Sequence, residues 1–161
     1  MALQKKVYQA VRPALPGQLA TAVNDDHFTP LTAQSTAPVV VGNFVFSDPA
    51  IPGNVLAAKQ SGAELRGIVV RSISYPDPTN GEASSMQVPA GYGLNVLEQG
   101  SIWVNCEAGG AKVGMDIYAK EADGAPVASS TTVESAVKSN FVVQFVYDDG
   151  KLCLISNRKV F

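Results

Sequence analysis

The stretch "GLNVLEQGSIWVNCEAGGAKVGMDIYA", residues 93–119, decides the fold class. Its apolar residues alternate with small or polar ones at a period of two. Together with the preceding residue, Tyr92, Leu94 and Val96 fall on one side of an extended chain, and Gly93 and Asn95 on the other. In the same way Ile102, Val104 and Cys106 oppose Ser101, Trp103 and Asn105. One face of each segment therefore belongs to a core. Between them "EQGS" places Gly100, which can supply a positive φ, where a hairpin turn is expected.

Working outward from this stretch, the chain from Val39 onward consists of short β-branched and aromatic runs. They are "VVVGNFVF", "NVLAA", "LRGIVVRSIS", "SMQVP", "KLCLIS" and "FVVQFVY", with Gly or Pro at nearly every junction. No convincing amphipathic helix lies between them, so the expected class is all-β, a small β-barrel or β-sandwich. In "FVVQFVYDDGKLCLIS", Asp148-Asp149-Gly150 predicts a hairpin tip with the glycine left-handed. The segment "YPDPTNGEASS" reads as an exposed loop rich in turn residues.

Residues 1–38 differ from the rest. Prolines at 13, 16, 30 and 38 recur with small and polar residues, and no period is sustained. This is read as an extended N-terminal arm preceding a core of residues 39–161, with one helical turn possible around Val7 to Val11 before Pro13 limits it. So long an arm seldom orders alone and is expected to lie on something else, such as a neighbouring subunit.

The totals exclude several functions. A chain of 161 residues is about one domain and buries roughly 70% of its unfolded surface, enough for a core without staples. The formal charge is −2 and charged residues make up 16%, leaving no basic footprint for nucleic acid or a membrane surface. The apolar runs are far shorter than the ~20 residues that cross a bilayer, and the start of the chain reads as no export signal. Cys106 and Cys153 sit in apolar runs and are expected as small buried hydrophobes.

No catalytic set emerges. His27 is the sole histidine and lies beside Asp25 and Asp26 in a loop-like part of the arm, so a nucleophile has no well-placed base. The carboxylates lack the alternate spacing of a calcium loop and are read as turn residues. The segment "GGAKVG" opens a strand and not a helix, which removes a phosphate site. Phe44, Phe46, Trp103, Phe141, Phe145 and Tyr147 are expected in the core. The segment "AKVGMDIYA" resembles the hairpins of biotinyl and lipoyl domains, which would make Lys59 the carrier lysine, but Lys59 lacks the methionine or acidic neighbours of those families. No cofactor is implied.

The order of elements carries a resemblance. A "PGQLA" arm segment precedes Gly42-Asn43-Phe44-Val45-Phe46, matching G-x-F-x-[FW], and then Gly67-Ile68-Val69-Val70-Arg71, matching G-[FI]-V-x-R. Gly91 to Val104 and Gly114 to Ala119, with Asp123-Gly124 after them, complete the pattern. This resembles the structural cement, or capsid decoration, proteins of tailed bacteriophages. The resemblance spans roughly Leu15 to Ala128; Phe46 departs from it where tryptophan is common.

The resemblance implies a non-enzymatic virion protein on the outer surface of an icosahedral shell, often a homotrimer or a dimer, bridging adjacent major capsid protein subunits. No nucleic acid or membrane partner is expected. Within the arm, Lys5, Lys6 and Arg12 suit rim contacts, and Leu3, Tyr8 and Leu15 suit apolar anchors. An alternative of another class is a tail or surface adhesion module binding host glycans through the "YPDPTNGEASS" loop.

Overall fold

A computed structural model of the chain describes residues 14–20, 27–28, 33–72, 87–106 and 109–157. None of these residues is helical. The possible turn at Val7 to Val11 and the "YPDPTNGEASS" loop lie outside the described residues.

Fourteen strands are described, arranged in four antiparallel sheets. In chain order they are β1 (His27–Phe28), β2 (Ala33–Gln34), β3 (Val39–Val40), β4 (Phe44–Ser47), β5 (Val55–Leu56), β6 (Leu65–Val69) and β7 (Gln87–Val88). The second half holds β8 (Gly93–Leu94), β9 (Val96–Gln99), β10 (Ser101–Asn105), β11 (Asp116–Lys120), β12 (Pro126–Ser129), β13 (Ala136–Tyr147) and β14 (Leu152–Ser156). One five-stranded sheet has the order β1-β9-β6-β4-β5, and a second has β10-β14-β13-β11-β12. Two-stranded pairs β2-β8 and β3-β7 accompany them. The sheets do not close on themselves, so of the two expected all-β architectures the open, layered one is found.

Continuous apolar runs have a simple reason here: the first large sheet is covered on both faces. Phe44, Phe46, Ile68 and Leu97 point to a core shared with Ile102, Val104, Ile117, Phe141, Val143 and Ile155 of the second sheet. Their alternates Val45, Val69 and Val96 point the other way, into a smaller core with Val39, Val41, Val88 and Leu94. Alternation along each strand thus feeds two cores in turn, which is why no polar residue interrupts "FVF" or "GIVV". Across the larger core, the Phe44 and Phe141 rings meet edge to face at 5.9 Å and 73°, a geometry favoured by the ring quadrupoles.

The expected hairpin at "EQGS" is not formed. β9 pairs with β1 and β6, whereas β10 pairs with β14, so the chain leaves one large sheet at Gln99 and enters the other at Ser101. Gly100, at φ 149°, makes this corner without reversing the chain. A hairpin would have put Leu97 and Ile102 in one sheet; the corner sets them in opposite sheets, facing the same core. Asn157 fastens it. Its Oδ1 accepts from the Gly100 N–H at 2.8 Å, and its Nδ2 donates to the Glu98 carbonyl at 2.8 Å.

The hairpin of β13 and β14 is formed as expected, with Tyr147 opposite Leu152. Its tip is more twisted than foreseen, because Asp148 and Asp149 join Gly150 at positive φ. Two features escaped the sequence reading. β12 starts at Pro126, which is tolerated because β12 is the last strand of its sheet and only one side pairs. β13 also begins early, at Ala136, so that a strand expected over seven residues runs for twelve.

Parts of residues 1–38 lie on the chain's own sheets. His27, expected in a loop, is in β1 opposite Gln99. Residues 17–20 run beside β10 as an added edge: Gly17 N–H donates to the Trp103 carbonyl at 2.7 Å, Trp103 N–H to Gln18 at 3.0 Å, and Ala20 N–H to Ser101 at 3.0 Å. From the other side, Arg71 N–H donates to the Gly17 carbonyl at 2.7 Å and Arg71 Nε to that of Pro16 at 3.0 Å. The Pro16-Gly17 step therefore ties the two large sheets together along one border.

Candidate interaction surface

The second large sheet presents part of its outer face to solvent, around Phe145 and its neighbours on β10 and β14. Ile102, Val104, Cys153, Ile155, Phe141 and Val143 face the core, so their neighbours along the strands face outward. In register, Trp103 lies opposite Leu154, which lies opposite Phe145. Trp103 and Phe145 meet edge to face at 6.0 Å and 77°. Phe145 is 50% exposed, and Trp103, Leu154, Tyr147 and Val142 are half-buried. The result is an aromatic and aliphatic stripe across three strands.

Three of the six aromatic residues expected in the core are thereby corrected. Phe44, Phe46 and Phe141 are buried; Trp103, Phe145 and Tyr147 are on this outer face. For Phe145 and Tyr147 the cause is a β-bulge. Val143 opposes Ile155 and Phe145 opposes Leu154, so Gln144 is an extra residue without a partner. One inserted residue inverts the facing of all that follow. Strict alternation from Phe141 would have buried both rings. For Trp103 the signal was present in "SIWVN", where it alternates with Ile102 and Val104.

Of the expected contact residues, only Leu15 falls among the described ones. It is 45% exposed, in a turn closed by Gln18 N–H to the Leu15 carbonyl at 3.1 Å. Leu3, Lys5, Lys6, Tyr8 and Arg12 lie outside them. The structure brings Leu15 to the border of the second sheet, two residues before the Gly17 contact with Trp103.

Other groups are held in ways that leave little chemistry. Lys59 Nζ is bound to Glu121 Oε1 at 2.7 Å, so it is engaged in an ion pair. Arg66 pairs with Glu98 at 3.2 Å and Lys138 with Asp116 at 2.6 Å, all at the surface. The hydrogen bond to Asp116 pushes the Lys138 ammonium above its ordinary pKa. Cys106 and Cys153 are free and buried, as expected. Their shared hydrogen bond, with burial, pushes the Cys106 thiol far up and leaves it protonated. A cleft of about 190 Å³ between the sheets is lined by Phe44, Phe141, Arg66, Glu98, Lys138 and Asn140. Among the described residues no group of three or more His, Cys, Asp or Glu could hold a metal ion.

A layered all-β body whose distinctive surface is an apolar aromatic stripe is a protein of contacts, a structural or binding domain. The family model for structural cement proteins (E217 gp24/Pam3 gp6) matches residues 3–157, nearly the whole chain. The chain belongs to the structural cement protein family, and its role is that of a capsid structural protein in the virion of a bacteriophage. No curated protein matches it. Among solved structures, a chain in the capsid of Myoviridae phage XM1 is similar, with a TM-score of 0.66 and 18% identity, each chain covered over 100% of its length. At that identity the likeness concerns the fold.

Proposed function

We propose that this protein decorates the outer surface of an icosahedral phage capsid and bridges adjacent major capsid protein subunits, without enzymatic activity. The observation that carries this reading is the family match over residues 3–157. The physical logic is multivalency. When subunits joined in one oligomer, a homotrimer or a dimer, engage a repeating lattice together, effective concentration multiplies weak contacts. The arm adds contact area between subunits through Leu3, Lys5, Lys6, Tyr8, Arg12 and Leu15.

Co-sedimentation with undecorated shells tests the proposal. Purified protein should saturate shells at a fixed ratio to the capsid subunit and raise the temperature at which shells rupture. Protein lacking residues 1–13 should bind at least about tenfold more weakly, the loss expected when one of several linked contacts is removed. A protein that stays in the supernatant at saturating shell concentration would refute the bridging role.

A further inference from the structure

We infer that the Trp103–Phe145 face of the second sheet is the docking site for residues 1–13 of a second copy of this chain. The inference rests on the proposed role of the arm as a contact segment between subunits, and it names the partner of that segment.

The face is of the kind that makes strong contacts. Trp, Tyr and Phe dominate the few residues that carry most of an interface's binding energy, and here Trp103, Phe145 and Tyr147 share one face with Leu154 and Val142. The segment matches it in both chemistry and charge. "MALQKKVYQAVRP" supplies Leu3, Val7, Tyr8 and Val11 for apolar contact. It also holds three of the chain's twelve bases, Lys5, Lys6 and Arg12, and none of its fourteen acids, so the remaining residues carry −5. Near the stripe stand Asp116, ion-paired with Lys138, and the tip residues Asp148 and Asp149, with Lys120 and Lys151 as the further bases on those strands and turn, so the acidity that the segment meets is that of the body as a whole. A basic, apolar segment is thus complementary to an acidic body with an apolar stripe.

Reach and position agree. The described chain ends at the buried Ala14, just before the residues that flank β10, the strand bearing Trp103. Thirteen extended residues reach roughly 40 Å, while five strands at ~4.8 Å spacing present a face of roughly 20 Å. The segment is long enough to leave its own border and cross the same face of a neighbour.

Trp103 is the sole tryptophan, so fluorescence reads the face directly. Full-length protein without shells should be an oligomer by light scattering, with Trp103 shielded from a soluble quencher. The full-length variant K5E/K6E/R12E should self-associate at least about tenfold more weakly and expose Trp103, since it reverses every base of residues 1–13 against an acidic body. Phe145→Ser, read by mass alone because its ring touches Trp103, should also dissociate. Far-UV circular dichroism controls for folding. The assignment is overturned if the wild type is a monomer, or if the charge variant keeps both its mass and its Trp103 shielding. It is equally overturned if Trp103 is exposed in the free protein and becomes shielded only on shells, which would give the face to the capsid surface. Mass and Trp103 quenching in the free protein need no shells, so the capsid reading can stand or fall separately.

Discussion

Replacing Gly17 by alanine tests how firmly the start of the described chain is locked to both sheets. Gly17 has φ 79°, and a Cβ built on it would lie 2.3 Å from Val41 Cγ1, 3.1 Å from Gly42 N and 3.2 Å from Arg71 N. Val41 is only 1% exposed and has no room to yield. Gly91 offers a matched control, with φ 82° and nothing within 4 Å. At both sites alanine takes on a left-handed conformation costing about 1–2 kcal/mol, partly offset by about 0.4–1 kcal/mol from a stiffer unfolded chain. Gly91→Ala should therefore cost about 1 kcal/mol or less. At Gly17 overpacking adds about 1–3 kcal/mol. Displacing the backbone strains the 2.7 Å bonds to Trp103 and Arg71, for about 1 kcal/mol more. The expected total is about 3 kcal/mol, or a fall in melting temperature of roughly 6–12 °C for a chain of this size. Guanidinium unfolding of the two variants measures the difference. Equal losses at Gly17 and Gly91 would refute the close approach of Pro16-Gly17 to Val41 and Gly42.

Two further outcomes follow from buried and surface groups. Cys106 and Cys153 should resist iodoacetamide in the native protein up to pH 9 and both react once it is unfolded; the raised pKa withholds the Cys106 thiolate, whereas Cys153, whose pKa the hydrogen bond from Cys106 lowers, is protected by burial alone; mass spectrometry counts the adducts. Lys138, raised by Asp116, contributes stability that is present below its ordinary value of 10.5 and is lost as pH rises through the higher folded value. Since Lys138 is exposed, Lys138→Met should leave the unfolding midpoint at pH 7 nearly unchanged and flatten its decline above pH 10.5.

The all-β class was legible because nearly every buried strand announced itself by β-branched residues between turns, and β10 stands where the alternation put it. Connectivity at Gly100 was not legible. A glycine between two strands permits a hairpin or a corner, and the choice depends on partners distant in sequence, β6 on one side and β14 on the other. The outer aromatic face was hidden for a related reason. Gln144 looks like an ordinary alternate residue in "FVVQFVY", and only pairing with β14 reveals it as a bulge that turns Phe145 outward. Tyr92 likewise follows the alternation of Leu94 and Val96 on paper, but it sits in the turn before β8 and is 49% exposed. Leu15, read from the arm as an apolar anchor, is 45% exposed beside β10.

The double burial of β4, β6 and β9 has a mechanical meaning. A sheet covered on one face can hinge or peel from its open side, where water competes for each backbone bond. Here the amides of Val45, Ile68 and Val96 lie between two apolar layers, so no line of weakness runs along that sheet. It acts as a keel: force applied at the chain's borders passes into a plate that cannot bend toward either side without opening a core. In a protein fastened to a shell, such a plate carries tension between its contacts without stretching.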